Sequence, residues 1–274
     1  MTKPDLSYKE IENPNPSTLT AEQVSSFNEH GYVKPFAAYD GEGANQQRAY
    51  FDRIIRRVQE ERPDLDSYAI NGWHTACRGI YDVVMNPLIL DHVEDLLGPD
   101  FLAWGTHYFC KLPHDPKRVA WHQDASYWPL TPARTITAWV AIDDADRGNS
   151  AMMFMPGTHR QGHLKWHHVE EQVVLNQEVS DIEQYGEPVY DELKAGEFSL
   201  HADMLAHGSE ANASDRRRCG LTIRYCPPSV VPIHPGWGSN GILCRGSADG
   251  SAWTFPPVPE GDNIQARIEA IGGN

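Results

Sequence analysis

The chain has 274 residues, of which 40% are hydrophobic and 10% aromatic, and its net charge is −15 at pH 7. This composition is typical of a globular protein, and the length fits one large β domain or two small ones. The excess of acidic groups argues against nucleic acid and against anionic membrane surfaces as partners. A small molecule is therefore the expected partner.

The cysteines are odd in number and scattered through the chain. They are Cys77, Cys110, Cys219, Cys226 and Cys244. This pattern suits neither a set of disulfides nor a zinc site. The first residues contain no apolar signal core, and no stretch has the length of a transmembrane helix. We expect a protein of the reducing cytoplasm, while the oligomeric state stays unknown at this point.

The first residues are polar and rich in proline. We expect residues 1–17 to form a flexible arm in front of a single domain over residues 18–274. Residues 164–193 are charged, rich in histidine and weakly patterned, so we interpret them as an insertion that folds over a pocket as a lid. The tail after Pro227 shows too little periodicity for any assignment.

Three helices are predicted in the first part of the chain. A capping box that starts at Thr20 predicts a helix that ends at Gly31. After a loop over residues 40–43, apolar side chains at helical spacing predict a second helix that ends before Pro63. A third helix is predicted over residues 87–97.

Short strand-like runs dominate after the third helix, and Gly, Pro, Asn and Asp separate them. They cover residues 101–112, 135–142, 151–155, 197–201 and 221–226. Helices followed by many short strands indicate a mainly β fold with flanking helices. We expect a barrel or jelly roll with the helices packed on one side.

A histidine and a carboxylate stand two residues apart at His122 and Asp124. On a strand both side chains would point to the same side, and together they supply two of the three ligands of a facial triad for Fe(II). His207, with an arginine cluster at 216–218 beyond it, is the best candidate for the third ligand. The alternatives are a hydrogen-bonded surface pair of His122 and Asp124, and His201 as the third ligand, although His201 is more typical of strand filler.

The blocks around these residues resemble the phytanoyl-CoA dioxygenase family of Fe(II)/2-oxoglutarate-dependent oxygenases. The resemblance rests on His122-Gln123-Asp124 with Tyr127-Trp128-Pro129, on Thr137 to Ala141, on Met155 to His159, and on His207-Gly208-Ser209 with Asn212, Arg218, Gly220, Arg224 and Tyr225. It implies a double-stranded β-helix core of the cupin type. It also implies that Fe(II), 2-oxoglutarate and O2 take part, with His122, Asp124 and His207 as the iron ligands.

The resemblance places Arg218, eleven residues after the distal histidine, on the distal carboxylate of 2-oxoglutarate. A planar guanidinium can hold such a group with two hydrogen bonds. Ser209 and Trp139 match family positions beside the same cosubstrate. Thr135 and Thr137 share a face with Trp139 by strand alternation, so either hydroxyl could assist. Ordinary barrel packing is the alternative for Trp139 and the two threonines.

The residues that follow the metal motif predict a substrate site. Tyr127 and Trp128 should line its mouth, and Trp73 and Tyr108 add aromatic surface. These rings could form a box for an alkylammonium group, or they could simply pack in the core. Lys111 could anchor an anion or lie on the surface.

The predicted function is hydroxylation of a C–H bond in a small polar molecule that bears an amine or is zwitterionic. Amino acid derivatives, alkylammonium compounds and aminophosphonates are examples, because the chain has no basic patch suited to a CoA phosphate. One alternative is a halogenase of the same family, although those members have a small residue in place of Asp124. The other is a cupin-like metal-binding or sensing protein without turnover.

Overall fold

The computed structural model describes residues 3–234 and 236–271. The helices are α1 (Ala21–His30), α2 (Gly41–Glu61), α3 (Arg78–Val84), α4 (Pro87–Leu97) and α5 (Ile264–Ala270). The strands are β1 (Tyr32–Ala37), β2 (Phe101–Lys111), β3 (Val119–His122), β4 (Leu130–Thr131), β5 (Ile136–Ala141), β6 (Met153–Phe154), β7 (Trp166–His168), β8 (Gln177–Val179), β9 (Val189–Tyr190), β10 (Glu197–Ala202), β11 (His207–Ser209), β12 (Arg218–Cys226), β13 (Val231–Pro232) and β14 (Ile242–Arg245).

Two antiparallel sheets form the core of the molecule. The larger has the strand order β1-β10-β5-β12-β2-β14, and the smaller has the order β3-β11-β6-β9. Side chains of β5, β10 and β12 line one cavity together with side chains of β3 and β11, so the two sheets face each other. This arrangement is the mainly β, double-stranded β-helix fold that the sequence predicted.

The large sheet has two faces of different character, which is clearest on β12. Leu221 and Ile223 belong to one apolar core with Phe51 of α2. Arg218 and Arg224 alternate with them and line the cavity between the sheets. Because side chains alternate along a strand, the helices cover one face of the large sheet, and the polar side chains of β12 are directed to the other face.

The helix predictions were largely correct. Thr20 and Gln23 form the capping box of α1, and Gly31 ends this helix in a left-handed conformation. The loop predicted over residues 40–43 was wrong, because Asp40 accepts a hydrogen bond from the Gly43 amide and so caps the first turn of α2. The sequence analysis assigned no element to β1, α3 or α5.

The predicted arm lies against the domain. Residues 3–17 contain no helix or strand, but the Asp95 carboxylate of α4 accepts hydrogen bonds from the amides of Ser17 (2.8 Å), Thr18 (2.7 Å) and Leu19 (2.7 Å). Because three amides share one buried acceptor, the end of the arm is fixed on α4. Ser17 is the arm residue in this contact, and the flexibility of residues 1–17 stays a prediction.

The ends of the predicted arm and domain, residues 1–2 and 272–274, lie outside the described residues. Ile264 and Ile268 of α5 pack in the same core as α2 and β12. This packing is what a single domain requires, and that assignment stays a prediction. None of the helices among the described residues is long and apolar enough to cross a membrane.

The contact between Asp95 and the arm predicts a pH-dependent contribution to stability. Burial opposes ionisation of Asp95, but the hydrogen bonds from the Ser17, Leu19 and Thr18 amides hold its pKa below the usual value. A carboxyl with a lowered folded-state pKa stabilises the fold above its unfolded pKa of about 4 and loses this effect as the pH falls through the folded value.

Asp95→Asn should therefore lower the free energy of unfolding by about 1 to 3 kcal/mol at pH 7, with a smaller difference from the wild type below about pH 4. Urea unfolding between pH 3 and pH 7 measures this difference. Asp82→Asn on α3, which breaks an exposed ion pair with Arg78, is the control and should change little. An equal loss for Asp95→Asn at both pH values would contradict the assignment.

Candidate metal centre

Three buried side chains meet between the two sheets. One ligand atom from each of His122, Asp124 and His207 lies within 4.8 Å of the others. His122 ends β3, Asp124 opens the turn that follows, and His207 lies opposite His122 on the paired strand β11. The strand pairing thus fixes the two imidazoles side by side. Their burial rules out the alternative of a surface pair.

Both imidazoles of the trio are oriented by the backbone. The Nδ1 atom of His122 lies 2.8 Å from the carbonyl oxygen of Ala120, and that of His207 lies 2.9 Å from the carbonyl oxygen of Leu205. Because a carbonyl only accepts, the proton is assigned to Nδ1 in both rings, which leaves the lone pair on Nε2. This arrangement is typical of histidines that bind a metal.

The protonation states of His207 and Asp124 also suit a cation. Burial lowers the pKa of His207 well below its ordinary value, so this imidazole is neutral at pH 7. Burial alone would raise the pKa of Asp124, but its neighbours His122, His207 and Arg224 hold it well below the usual range. Neutral imidazoles and an ionised carboxylate are the forms that bind a divalent metal. The residues therefore fit Fe(II).

His201 lies beside the trio but does not complete it. Its Nε2 atom is 3.9 Å from Oδ2 of Asp124, and its ring centroid is 4.7 Å from that of His207. Both of its ring nitrogens are buried and have no hydrogen-bond partner among the described residues. The structure therefore brings His207 into the trio, as predicted, while His201 is a cavity-lining residue rather than strand filler.

The cavity that contains the trio continues to Arg218. This side chain is 2% exposed, and its guanidinium donates to the hydroxyl of Ser209 (2.9 Å) and to the carbonyl of Ser150 (3.0 Å). It makes no ion pair with the part of the chain that the structure describes. A buried guanidinium without an anionic partner is costly, so the pocket favours an anion.

Trp139 forms a wall of the same cavity. Its indole lies 5.7 Å from the Arg218 guanidinium. A Cβ atom on Gly220 would lie 2.1 Å from this ring, so any residue other than glycine at this position would clash with the indole. The structure thus brings together Arg218, Ser209 and Trp139, as the resemblance implied, although their contact with a cosubstrate stays a prediction.

The two threonines are placed differently. The Oγ1 atom of Thr137 donates to Oδ2 of Asp124 (3.3 Å), so this hydroxyl supports a member of the trio. Thr135 precedes β5, its amide donates to Asp203, and it does not line the cavity. The prediction that Thr135 lies beside the cosubstrate is corrected, because the strand alternation begins only after it.

Lys111 is neither an anion anchor nor a surface residue. Its Nζ atom donates to the backbone carbonyls of Lys117 (3.0 Å), Ser209 (3.3 Å) and Glu210. Burial and the nearby charge of Arg218 lower the pKa of Lys111 to about 6. Its hydrogen bonds are used to fix the segment that carries Ser209, so none remains for an anion.

A second, wider cavity adjoins the first and opens to solvent. It has a volume of about 1330 Å³ with its mouth included, compared with about 390 Å³ for the first. We call the wider one the outer cavity and the first one the inner cavity. Asp124 and Arg224 line both and so mark the junction. Tyr127 and Trp128 line the outer cavity, where the sequence placed them.

The other two predicted substrate residues lie elsewhere. Tyr108 packs on Phe51 of α2 with a centroid distance of 4.8 Å, and Trp73 is buried in the same helix-covered core. On β2 the inward positions are His107 and Phe109, which line the outer cavity. Tyr108 is therefore on the opposite face of its strand, and its assignment to the substrate site is corrected.

The sequence analysis assigned no role to Arg224. This residue follows Arg218 by six positions, an even number, so the alternation that directs Arg218 inward also directs Arg224 inward. That signal was available in the sequence. What it did not show is that Arg224 lies at the junction of two cavities.

A model of the phytanoyl-CoA dioxygenase family matches residues 27–220, which is more than half of the chain. The chain belongs to this family. Dependence on Fe(II) and 2-oxoglutarate is a property of the family, and the buried histidines and aspartate provide a metal site that fits it. The recognition made from the sequence motifs is thereby confirmed.

Individual relatives are distant. The bovine "Phytanoyl-CoA dioxygenase, peroxisomal" is 29% identical over 182 residues, which cover 64% of this chain and 50% of that protein. A "Probable alpha-ketoglutarate-dependent hypophosphite dioxygenase" of Stutzerimonas stutzeri is 26% identical and covers 93% of this chain and 87% of that protein. The chain spans about half the length of several curated phytanoyl-CoA dioxygenases that it matches.

A solved structure is similar over most of the chain. The apo form of the non-heme monooxygenase ThoJ is 30% identical, with a TM-score of 0.75, and the match covers 89% of this chain and 91% of that one. The match supports the fold described above.

The metal centre yields a first prediction about the site. His122→Ala and His207→Ala should each weaken Fe(II) binding by more than the roughly 10- to 100-fold that follows the loss of a residue that only orients a metal ligand, because each removes a ligand itself. Calorimetric titration with Fe(II) under anaerobic conditions measures the affinity. His201→Ala is the matched control and should keep affinity near the wild-type value. Retention of binding by His207→Ala, with loss in His201→Ala, would show that His201 is the ligand.

The unpaired guanidinium yields a second prediction. Arg218→Ala should raise the apparent Michaelis constant for 2-oxoglutarate by well over tenfold, because loss of a buried charge pair costs roughly 2 to 5 kcal/mol. Succinate release at varied 2-oxoglutarate concentration measures this constant. Arg216→Ala removes an exposed partner of Asp146 and should have little effect. Reversed effects of the two variants would contradict the assignment.

Proposed function

We propose that this chain is an Fe(II)- and 2-oxoglutarate-dependent dioxygenase that hydroxylates a C–H bond of a small polar molecule. One observation carries the proposal: a buried trio of metal-type ligands shares one cavity with a buried guanidinium that has no ion-pair partner among the described residues. A simple metal-binding protein has no need of the guanidinium. Family membership supports the same reaction class.

Each residue of the inner cavity has a defined task in this proposal. His122, Asp124 and His207 would hold the iron, which when bound supplies the activation of O2. The hydrogen bonds from Nδ1 to backbone carbonyls leave both Nε2 lone pairs available to bind the iron. Arg218 and Ser209 would bind the distal carboxylate of 2-oxoglutarate and so fix its orientation.

The insertion over residues 164–193 is proposed as a cover for the outer cavity. Leu175 lines this cavity, and the amide of Gln177 donates to the Tyr127 hydroxyl (2.8 Å). Glu178 pairs with Arg118, which holds β8 beside β3. These contacts connect the insertion to the turn that carries Asp124, and a cover at this place would keep water from the metal centre.

The substrate is proposed to be small. The Stutzerimonas stutzeri relative is named for a small oxyanion, hypophosphite, and covers nearly the whole chain. The relatives named for phytanoyl-CoA share only part of their length with it. An aromatic box for an alkylammonium group has less support, because the guanidinium of Arg224 already lies over Trp104 and Trp128.

The halogenase alternative is disfavoured by Asp124, because its carboxylate occupies the position that a chloride ion would need and repels an incoming anion. As compartment we propose the cytoplasm, because the five cysteines are free and buried rather than paired. Fractionation of the source cells would test this assignment.

The reaction class can be tested by product mass. A screen of small metabolites with Fe(II), 2-oxoglutarate and excess chloride should yield succinate and a product heavier than its substrate by one oxygen atom. The physical reason is that Asp124 excludes the halide from the metal. Tyr127→Ala should reduce substrate-coupled succinate release more than uncoupled release. A chlorinated product from the wild type would overturn the proposal of a hydroxylase.

A further inference from the structure

Arg224 is a buried cation at the junction of the inner and outer cavities. It is 9% exposed, and its Nε atom has no hydrogen-bond partner among the described residues. No ion pair joins it to any carboxylate in residues 3–234 or 236–271. Arg224 lowers the pKa of Asp124 without forming an ion pair with it, and that carboxylate belongs to the metal trio. Burying a guanidinium without a direct ion pair is unfavourable, so this position requires an explanation beyond packing.

Two tryptophans fix the direction of the Arg224 side chain. Its Cζ atom lies 5.6 Å from the ring centroid of Trp104 and 5.2 Å from that of Trp128. The two rings meet edge to face with a centroid distance of 4.7 Å. Cation–π contacts of this kind hold the guanidinium in place but offer no hydrogen-bond acceptors in its plane. Its donors are therefore free for a ligand.

The lining of the outer cavity is positive although the protein as a whole is acidic. Its charged groups among the described residues are Arg224, Arg267 and Asp124, and Asp124 belongs to the metal trio. His107 also lines it, and burial together with Arg224 lowers its pKa to about 4, so it is neutral at pH 7. In a chain of net charge −15, such a local excess of cationic groups favours an anionic ligand.

The anionic ligand that the outer cavity favours differs from the distal carboxylate of 2-oxoglutarate. Arg218 and Arg224 are six residues apart on β12, which corresponds to roughly 20 Å of strand. Arg218 lies beside Ser209, whereas Arg224 pairs in register with Thr137, the residue that donates to Asp124. The two guanidinium groups thus lie at different positions along β12. Arg224 is the one that lines the outer cavity, which opens to solvent.

We infer that Arg224 binds an anionic oxygen group of the substrate, a carboxylate or a phosphonate, and so holds the reacting carbon near the metal centre. The inference rests on the proposed function and narrows its substrate class from polar to anionic. A planar guanidinium binds either group with two hydrogen bonds. Arg267, on the wall of the same cavity, adds positive charge at longer range.

The test measures the binding of matched probes to the Zn(II)-loaded protein at saturating 2-oxoglutarate, by calorimetry or saturation-transfer NMR. Butanoate and propylphosphonate are the anions, and butanamide and butylamine are the neutral and cationic counterparts. The wild type should bind at least one anion tenfold or more tightly than either counterpart. Which of the two anions binds better distinguishes a carboxylate substrate from a phosphonate substrate.

Substitutions then test whether Arg224 is the residue responsible for the preference for anions. Arg224→Gln should lose about tenfold or more in anion affinity and keep the affinity for 2-oxoglutarate, whereas Arg224→Lys should retain part of the anion preference. Arg245→Gln, which breaks an ion pair outside both cavities, should leave anion binding intact. The wild-type probe series remains decisive even if Arg224→Gln does not fold.

Three results would overturn the inference: no preference of the wild type for either anion, unchanged anion affinity in Arg224→Gln, or a loss of 2-oxoglutarate affinity in that variant equal to the loss in Arg218→Ala. Release of succinate by the Fe(II)-loaded wild type without any probe tests the proposed function separately. An active enzyme without anion preference would therefore contradict only the role of Arg224.

Discussion

The interior of this protein is organised by two guanidinium groups that are buried on one strand and form no ion pair within the part of the chain that the structure describes. Burial of an uncompensated charge is among the most expensive arrangements in a fold, and it persists only where other contacts offset it. The cost of burying Arg218 is offset by the Ser209 hydroxyl and a backbone carbonyl, and the cost of burying Arg224 is offset by two indole rings. Both arrangements leave donors for an anion from solution.

The two sheets contribute different parts of the site. The small sheet supplies the imidazoles, whose spacing is fixed because His122 and His207 are directly opposed on β3 and β11. The large sheet supplies the cationic and aromatic side chains through β5 and β12. A change on the large sheet can thus alter what is bound without displacing the histidines, since their orienting hydrogen bonds go to the backbone of β3 and of the turn just before β11.

Sequence alone predicted the parts of the site that depend on local geometry. The His-x-Asp pair predicted two ligands on one side, and the side chains do meet, although Asp124 lies in the turn after β3 rather than on the strand. Arg218 was predicted through the family resemblance, which places an arginine eleven residues after the distal histidine. Alternation does not reveal which face of a strand the helices cover. Tyr108 was therefore assigned to the site, although it packs on α2, and its neighbours His107 and Phe109 are the ones that face the cavity.

The remaining errors arise from contacts between distant parts of the chain. In the sequence, Lys111 resembles a surface residue. In the fold, its amine donates to the carbonyls of Ser209 and Glu210, which lie about a hundred positions later in the chain. The contact of Ser17 with Asp95 likewise has no signal in the sequence, because Asp95 is a helix residue far along the chain. Periodicity cannot show such pairings, since they exist only after the sheets and helices have packed.

The position of Asp124 explains why metal binding, substrate access and the insertion are physically connected. Its turn continues directly into Tyr127, whose hydroxyl accepts from the amide of Gln177 in the insertion. Its carboxylate also accepts from Thr137, which lies beside Arg224 on the neighbouring strand. A displacement of the insertion would therefore act on the ligand turn through the hydrogen bonds of Tyr127 and Ser126 with Gln177, whereas β12 would keep both arginines in place.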